Sequence, residues 1–226
     1  MKVDLHAHIK RTSRCAKHSH IEMAVAAKEK GLDGIVLLDH HYYLTKEECL
    51  EAEKASGIKI FKGIEITVKK AKDAISGTRG GANDVLVISP ETPNFDIGGY
   101  HKPINCDKLP ELLDFVKQSQ GLSILAHPFR RDKPLAFNPT GIDCIEIASR
   151  NTQVHNREKI LELAETCNLI PVSNSDAHRT KHLGNYCIEL DYFVDDEIGL
   201  AKAIKKKHFS LFEKRLAPVL ICPRNF

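Results

Sequence analysis

The chain has 226 residues, enough for one large α/β domain and too few for a second catalytic one. Lys and Arg number 33 against 30 Asp and Glu, and a net charge of +3 demands neither nucleic acid nor a membrane surface as partner. Seven cysteines without a paired C-x-x-C spacing, no apolar signal region at the start, and no apolar run near the ~18 residues that span a bilayer lead us to expect a soluble, cytoplasmic protein with free thiols.

In chain order, residues 2–6 read as a strand. Ser19 with Glu22 then makes a capping box for a helix through Met23, Ala24, Ala27 and Lys28, closed by Gly31. Residues 34–38 (Gly-Ile-Val-Leu-Leu) form a continuous apolar run, as in a parallel strand covered on both faces. Thr45 with Glu48 makes a second capping box, whose helix runs through Leu50 and Ala52 towards Gly57. Residues 58–66, 84–88, 123–126, 144–147 and 170–173 read as further strands, with helices over 109–118 and 154–167. Such alternation implies parallel strands joined by right-handed crossovers, closing into a barrel. Two stretches break the rhythm: residues 69–82, rich in Lys and Gly, and residues 90–103, rich in Pro, Gly and Asn. Each follows a strand expected to end near the site, and each fits either a lid or an ordinary surface loop. Neither repeats nor a domain boundary show, so residues 1–226 read as one domain. Oligomeric state leaves no readable trace.

The strand ends carry the chemistry. His6 and His8 close the first strand, two apart and therefore on one face. Asp39 and His40 close the second, Glu65 the third, and His127 follows Ile124-Leu125-Ala126; Asp176 and His178 come soon after Ser173. In parallel α/β barrels these ends form one rim, where sites are built. Imidazoles with a few carboxylates suit zinc, manganese or iron, and the set exceeds what one four-coordinate ion needs, so two or three divalent ions are expected. Each residue also has a plainer use: a buried histidine can satisfy a carbonyl, and Asp39 can cap a turn.

His6-x-His8, Leu38-Asp39-His40, Gly63-Ile64-Glu65, Ala126-His127-Pro128 and Ser175-Asp176-Ala177-His178 resemble, in order, the motifs of the PHP (polymerase and histidinol phosphatase) superfamily. The resemblance runs from Met1 to about Leu190. It implies a distorted seven-stranded (β/α) barrel, TIM-like, with a metal site at the C-terminal strand ends. By match of motif, His6, His8, Glu65 and Asp176 would hold one metal, Glu65 would bridge to a second that also takes His127, and His40 and His178 would complete the outer side. The chain departs from the pattern twice. Ser13-Arg14-Cys15 stands where relatives often carry Asp or His, leaving Cys15 either a ligand or an exposed thiol. His101 is the candidate for a histidine that some relatives place before the later His-Pro, so a third metal is left open.

Two divalent ions roughly 3.5–4 Å apart acidify a shared water and clamp an in-line displacement at phosphorus. The implied reaction is hydrolysis of a phosphoester, a small phosphate monoester or a nucleotide, by metal-bound hydroxide. Arg130, directly after His127-Pro128-Phe129, is the first choice for holding phosphate and Arg150 the second. Asp176 or His178 is the candidate for passing a proton to the departing alkoxide. The alternatives are an amide or ester hydrolase with the same metals, and a non-catalytic metal-binding regulatory module. Nucleic acid is not favoured as substrate, because the basic stretches at 69–79 and 205–207 lack interleaved aromatics.

Overall fold

A computed structural model describes residues 1–11, 15–70, 81–98 and 102–214. The elements are β1 (Lys2–His8), α1 (His20–Glu29), β2 (Gly34–Leu38), α2 (Lys46–Ser56), β3 (Lys59–Lys69), β4 (Ala82–Ile88), β5 (Ile104–Asn105), α3 (Leu109–Gln118), β6 (Leu122–Ala126), β7 (Cys144–Ala148), α4 (Arg157–Cys167), β8 (Ile170–Ser173), β9 (Tyr186–Leu190), α5 (Glu197–Lys205) and β10 (Phe209–Glu213). Both capping boxes form: Ser19 and Thr45 each accept from the third backbone N–H of their helix while Glu22 and Glu48 reach back. Gly31 (φ 80) and Gly57 (φ 72) take the left-handed conformation past the helix ends.

All strands belong to one sheet, ordered β10-β9-β1-β2-β3-β4-β6-β7-β8, with β5 attached to β3. Past β8 the chain returns to β1, where Ala7 bridges Ala177 through His8 N to Ala177 O (2.8 Å) and Ala177 N to His6 O (3.1 Å). Ser173 Oγ donates to Phe212 O of β10 (3.4 Å), so the sheet is nearly closed and barrel-like. Val3, Leu5, Val36, Leu38, Phe61, Leu86, Ile124, Val172 and Ile188, from strands right around the sheet, pack into one cluster; that face is therefore the interior. Helix α5 adds Leu200, Ala201, Ala203 and Ile204 to it. Glu197 Oε1 accepts Lys62 N (2.9 Å) and Lys205 Nζ donates to Gly121 O (2.8 Å), which sets α5 across the end opposite the site. Helices α1 and α2 cover one outer face, and α3 and α4 another.

Two expectations are corrected. The seven expected strands are β1, β2, β3, β4, β6, β7 and β8, but the described residues form ten, because β5, β9 and β10 are added. Nor is the sheet wholly parallel. β4 runs antiparallel to both β3 and β6, and β9 and β10 are antiparallel additions beside β1. A parallel pair needs a long crossover, usually a helix, whereas antiparallel neighbours need only a short return. Beyond the paired ends of β3 and β4, Lys70 N is bonded to Gly81 O (3.0 Å). Reversal of β4 moves the start of the 90–103 stretch to the far end of the barrel. The stretch then climbs to place Ile97 O 2.8 Å from His41 Nδ1. Most of the 69–82 stretch, residues 71–80, lies outside the described residues, as does His101.

Close packing of β3 on its neighbours explains the glycine two residues before Glu65. A Cβ on Gly63 would lie 2.9 Å from Val36 Cγ1 and 3.1 Å from Val87 O. Gly63→Ala should therefore destabilise the fold by roughly 1–3 kcal/mol through overpacking. Leu50→Ala, at a side chain 54% exposed, should shift stability by no more than about 0.5 kcal/mol. Urea unfolding of both variants checks this, and equal stabilities would contradict the packing described.

Candidate metal centre

Local backbone irregularity delivers the histidines to the interior. On β1, Val3 and Leu5 face inward, yet Ala7 and Ile9 belong to the outer cluster under α1 and α2. The pairing with β2 slips between Asp4 and Ala7, which reverses the alternation and turns His6 and His8 inward just above Leu5. Beyond β2, Asp39 O accepts Glu65 N (3.2 Å) and His41 N donates to Glu65 O (3.0 Å), so His40 is carried alongside β3. Residues 174–177 are stitched between β7 and β1: Asn174 N bonds Ala148 O (3.2 Å) and Ser175 N bonds Asp4 Oδ1 (2.9 Å). Asp176 (φ 49) and His127 (φ 27) both adopt left-handed backbone. Such strain persists only where surrounding contacts impose it.

The result is one buried set of ring nitrogens and carboxylate oxygens. His6 Nε2 lies 3.1 Å from His8 Nε2, 3.4 Å from Asp176 Oδ1 and 3.7 Å from Glu65 Oε1. His8 Nε2 is 3.3 Å from Glu65 Oε2 and 3.5 Å from Asp176 Oδ1. His40 Nδ1 is 2.9 Å and His127 Nε2 3.2 Å from Glu65, and His178 Nδ1 is 3.3 Å from Asp176 Oδ1. Ligands about 2.1 Å from a tetrahedral ion stand about 3.4 Å apart, so these spacings are compatible with coordination of a shared ion. Four overlapping trios keep their ligand atoms within 4.8 Å: His6, His8 and Glu65; His6, His127 and Asp176; Glu65, Asp84 and His127; His8, His40 and His178. Glu65 Oε2 and Asp176 Oδ1 are buried and accept no well-formed hydrogen bond despite the nearby rings. A pair of buried oxygens left over among imidazoles is what a divalent cation would satisfy, so the donor set fits the metals that the motifs imply.

Electrostatics point the same way. Burial works against charge on His8, but the Glu65 and Asp176 carboxylates outweigh it and push the ring up to about 9. His127 rises to about 10 against the same burial, through Glu65 and Asp176. His40 rises to about 11, burial again being outweighed, through Cys15 and the Glu65 carboxylate 2.9 Å away. Conversely, burial would raise Glu65 and Asp176, yet the facing imidazoles hold both well below the usual carboxylate range. Without metal the cluster is thus a salt-bridged set of protons and carboxylates, and cations would displace those protons.

His6, His8, Glu65, His127 and Asp176 converge in the interior, with His40 and His178 at its partly exposed outer edge. Asp39 joins none of the four trios; it is fully buried and its Oδ1 accepts His40 N (2.8 Å), the capping use. Cys15 is partly buried and hydrogen-bonded to His40, outside the trios. Arg130 lines a cavity of about 240 Å³ together with Asp84 and His127. Arg150 is exposed beside this end, but its neighbour Asn151 makes the closer contact, donating from Nδ2 to Asp176 Oδ2.

Three contributors escaped the sequence reading. Asp84 opens β4, and because β4 is reversed its start, not its end, lies at the cluster; Thr67 Oγ1 donates to it (2.6 Å) and His127 Nε2 is 3.9 Å away. Glu146, fully buried on β7, takes the far side of His6, with Oε2 3.1 Å from Nδ1, and is itself held by Thr152 Oγ1 (3.0 Å). That bond fixes the ring with Nε2 towards the cluster. A lone acid within the apolar run Cys144-Ile-Glu-Ile-Ala148 was a visible signal for it. Asn151 left no signal of its own.

The chain is a nearly closed α/β barrel with a buried histidine and carboxylate cluster at one end. A PHP domain profile matches residues 4–164 and a PHP-associated profile residues 154–208, and the chain belongs to the PHP family. Solved structures share the fold at low identity. One from Bifidobacterium adolescentis, assigned as a metal-dependent phosphoesterase, is 15% identical over 89% of this chain and 94% of its own, with a TM-score of 0.58. PsfC from Pseudomonas syringae is 18% identical over 94% and 91%, TM-score 0.60. An amidohydrolase from Chromobacterium violaceum, with bound sulfate and no metal, is 15% identical over 81% and 90%, TM-score 0.58. No curated protein matches the chain.

Two outcomes follow. Glu146→Gln should leave the fold intact and weaken transition-metal affinity about 10–100-fold in a chelator competition titration; unchanged affinity would remove the orienting role. In metal-free protein, the His8 and His127 interactions contribute fully below 6.5 and fade as pH rises to about 9 and about 10. Those of Glu65 and Asp176 are present above 4.5 and 3.8 and fade as pH falls. Urea midpoints of metal-free protein should therefore drop between pH 6.5 and 9 while those of metal-loaded protein hold. Parallel profiles would contradict the charge pairing.

Proposed function

We propose that this protein hydrolyses a phosphoester, a small phosphate monoester or a nucleotide, with residues 1–226 acting as one cytoplasmic PHP-type unit around two or three divalent ions (manganese, zinc or iron). The observation that carries the reading is a single cavity lined both by His127 and Asp84 of the cluster and by Arg130. In this reading His6, His8, Glu65 and Asp176 would hold one ion, Glu65 with His127 and Asp84 would hold a second, and His40 and His178 would serve the outer side. When bound, the ions supply an acidified water and offset the charge of the phosphoryl oxygens.

The chain's own side chains do the rest. Arg130 presents a planar guanidinium fork that fits two phosphoryl oxygens and orients the ester. His178, partly exposed with Nδ1 3.1 Å from the Asp176 backbone oxygen, would hold a proton for the departing alkoxide where it does not ligate an ion, Asp176 being the other candidate. Arg150 stands at the same end as a second cation for substrate. Carbonyl hydrolysis on the same cluster would leave the cavity cations without a partner, so phosphorus is the better target. A small substrate also suits the basic 205–207 stretch, since Lys205 is engaged with Asp143 (3.1 Å) and Gly121 at the opposite end of the barrel. No helix of the described residues is long and apolar enough to cross a membrane, and their six cysteines are free.

Purified protein should carry at least two equivalents of transition metal, with marked loss in His8→Ala and Glu65→Ala, by elemental analysis. Arg130→Ala should keep its metal yet lose roughly 10–100-fold in kcat/KM for phosphate release, the worth of a charged hydrogen-bonded pair. Unchanged metal content in the first two variants, or unimpaired turnover in the third, would overturn these assignments.

A further inference from the structure

The cavity beside the cluster holds more positive charge than one phosphate calls for. Its lining contains Arg130, Arg131 and Lys133 from one short loop, with Asn83, Asp84 and His127. None of the three cations forms an ion pair with a described residue. The one acid of the loop, Asp132, is absent from the lining. It turns to the segment just before α4, with Oδ1 2.7 Å from His155 Nε2 and 3.0 Å from Asn156 Nδ2. The loop thus sorts its charges, cations towards the cavity and anion away.

That sorting is held in place. Phe129 (φ 57), Arg131 (φ 56) and Asp132 (φ 58) all take left-handed backbone, which side chains other than glycine adopt at a cost. Phe129 is buried and carries Lys159 Nζ 3.9 Å above its ring. At the far end Ala136 N donates to the buried Asn83 Oδ1 (2.7 Å), tying the loop to β4. A cleft lined by one sign of charge concentrates ligands of the opposite sign. With metals and Arg130 already serving the scissile group, Arg131 and Lys133 are surplus to it. At about 240 Å³ the cavity is below the ~300–1,000 Å³ of sites for drug-sized ligands, so its occupant is short.

We propose that the substrate carries two anionic groups a few bonds apart, the scissile phosphoester against His127 and Arg130 and a second phosphate-like anion held by Arg131 and Lys133. This rests on the phosphoester reading above and names the substrate class within it. A monoester without the second group would bind only by the first subsite.

Calorimetric titration of the metal-loaded full chain with propane-1,3-diyl bisphosphonate and with propylphosphonate tests the second subsite without needing turnover. The bisphosphonate should bind at least about tenfold tighter, since a charge-assisted contact contributes ~1.5–3 kcal/mol. In the double variant Arg131→Ala/Lys133→Ala that preference should vanish while propylphosphonate affinity stays unchanged, which separates the subsite from simple chelation by two phosphonates. Equal affinities in the parent, or a preference that survives in the double variant, would overturn the proposal. Preference without any phosphate release from bisphosphate esters would support the subsite and count against phosphoester hydrolysis alone.

Discussion

Two carboxylates, Glu65 and Asp176, are each 1% exposed in the floor of this barrel, and the rest of the site is arranged around the need to compensate them. An isolated carboxylate in such surroundings would take up a proton rather than stay charged. Here the five rings of His6, His8, His40, His127 and His178 each approach one or both within 3.9 Å and hold them ionised. A ring of imidazoles around shared carboxylates is favourable with protons, and it suits divalent cations better, because cations also satisfy the oxygens that hydrogen bonds leave over.

Much of the architecture serves that concentration of charge. The sheet is nearly closed, so strand ends far apart in sequence share one small volume. Its interior is apolar from Leu5 downwards and is covered at the other end by α5. Low polarizability beneath the site strengthens each ionic contact above it. The slip in β1 and the left-handed backbone at His127 and Asp176 are departures from regular structure, and all three lie where a side chain must be turned into the cluster. Glu146 and Asn151 stand one layer further out, each holding a member of the cluster from behind.

The legible part of the site was the part that depends on strand ends. His6, His8 and His127 stand where apolar runs and their strands end, whereas Glu65 lies within β3, which continues to Lys69 instead of closing near Ile66 as expected. What failed was direction. Asp84 lies at the beginning of its strand, and only the antiparallel pairing of β4 with β3 brings that beginning to the site. β9 and β10 were missed because their alternating patterns, Tyr186-Cys-Ile-Glu-Leu190 and Phe209-Ser-Leu-Phe-Glu213, lack the continuous apolar run by which covered parallel strands were recognised. Loops were hardest: beyond β7 a shift of a single residue decides whether Arg150 or Asn151 meets Asp176, and composition does not encode it.

The proposal that Glu65 would be shared between cations held by its neighbours can be checked by an anomalous-scattering crystal structure of metal-loaded protein. Two ions sharing Glu65 are expected, one within about 2.0–2.3 Å of His6, His8 and Asp176 and the other equally close to His127 and Asp84. Ions bound elsewhere, or a single ion that leaves Glu65 without a metal contact, would contradict it.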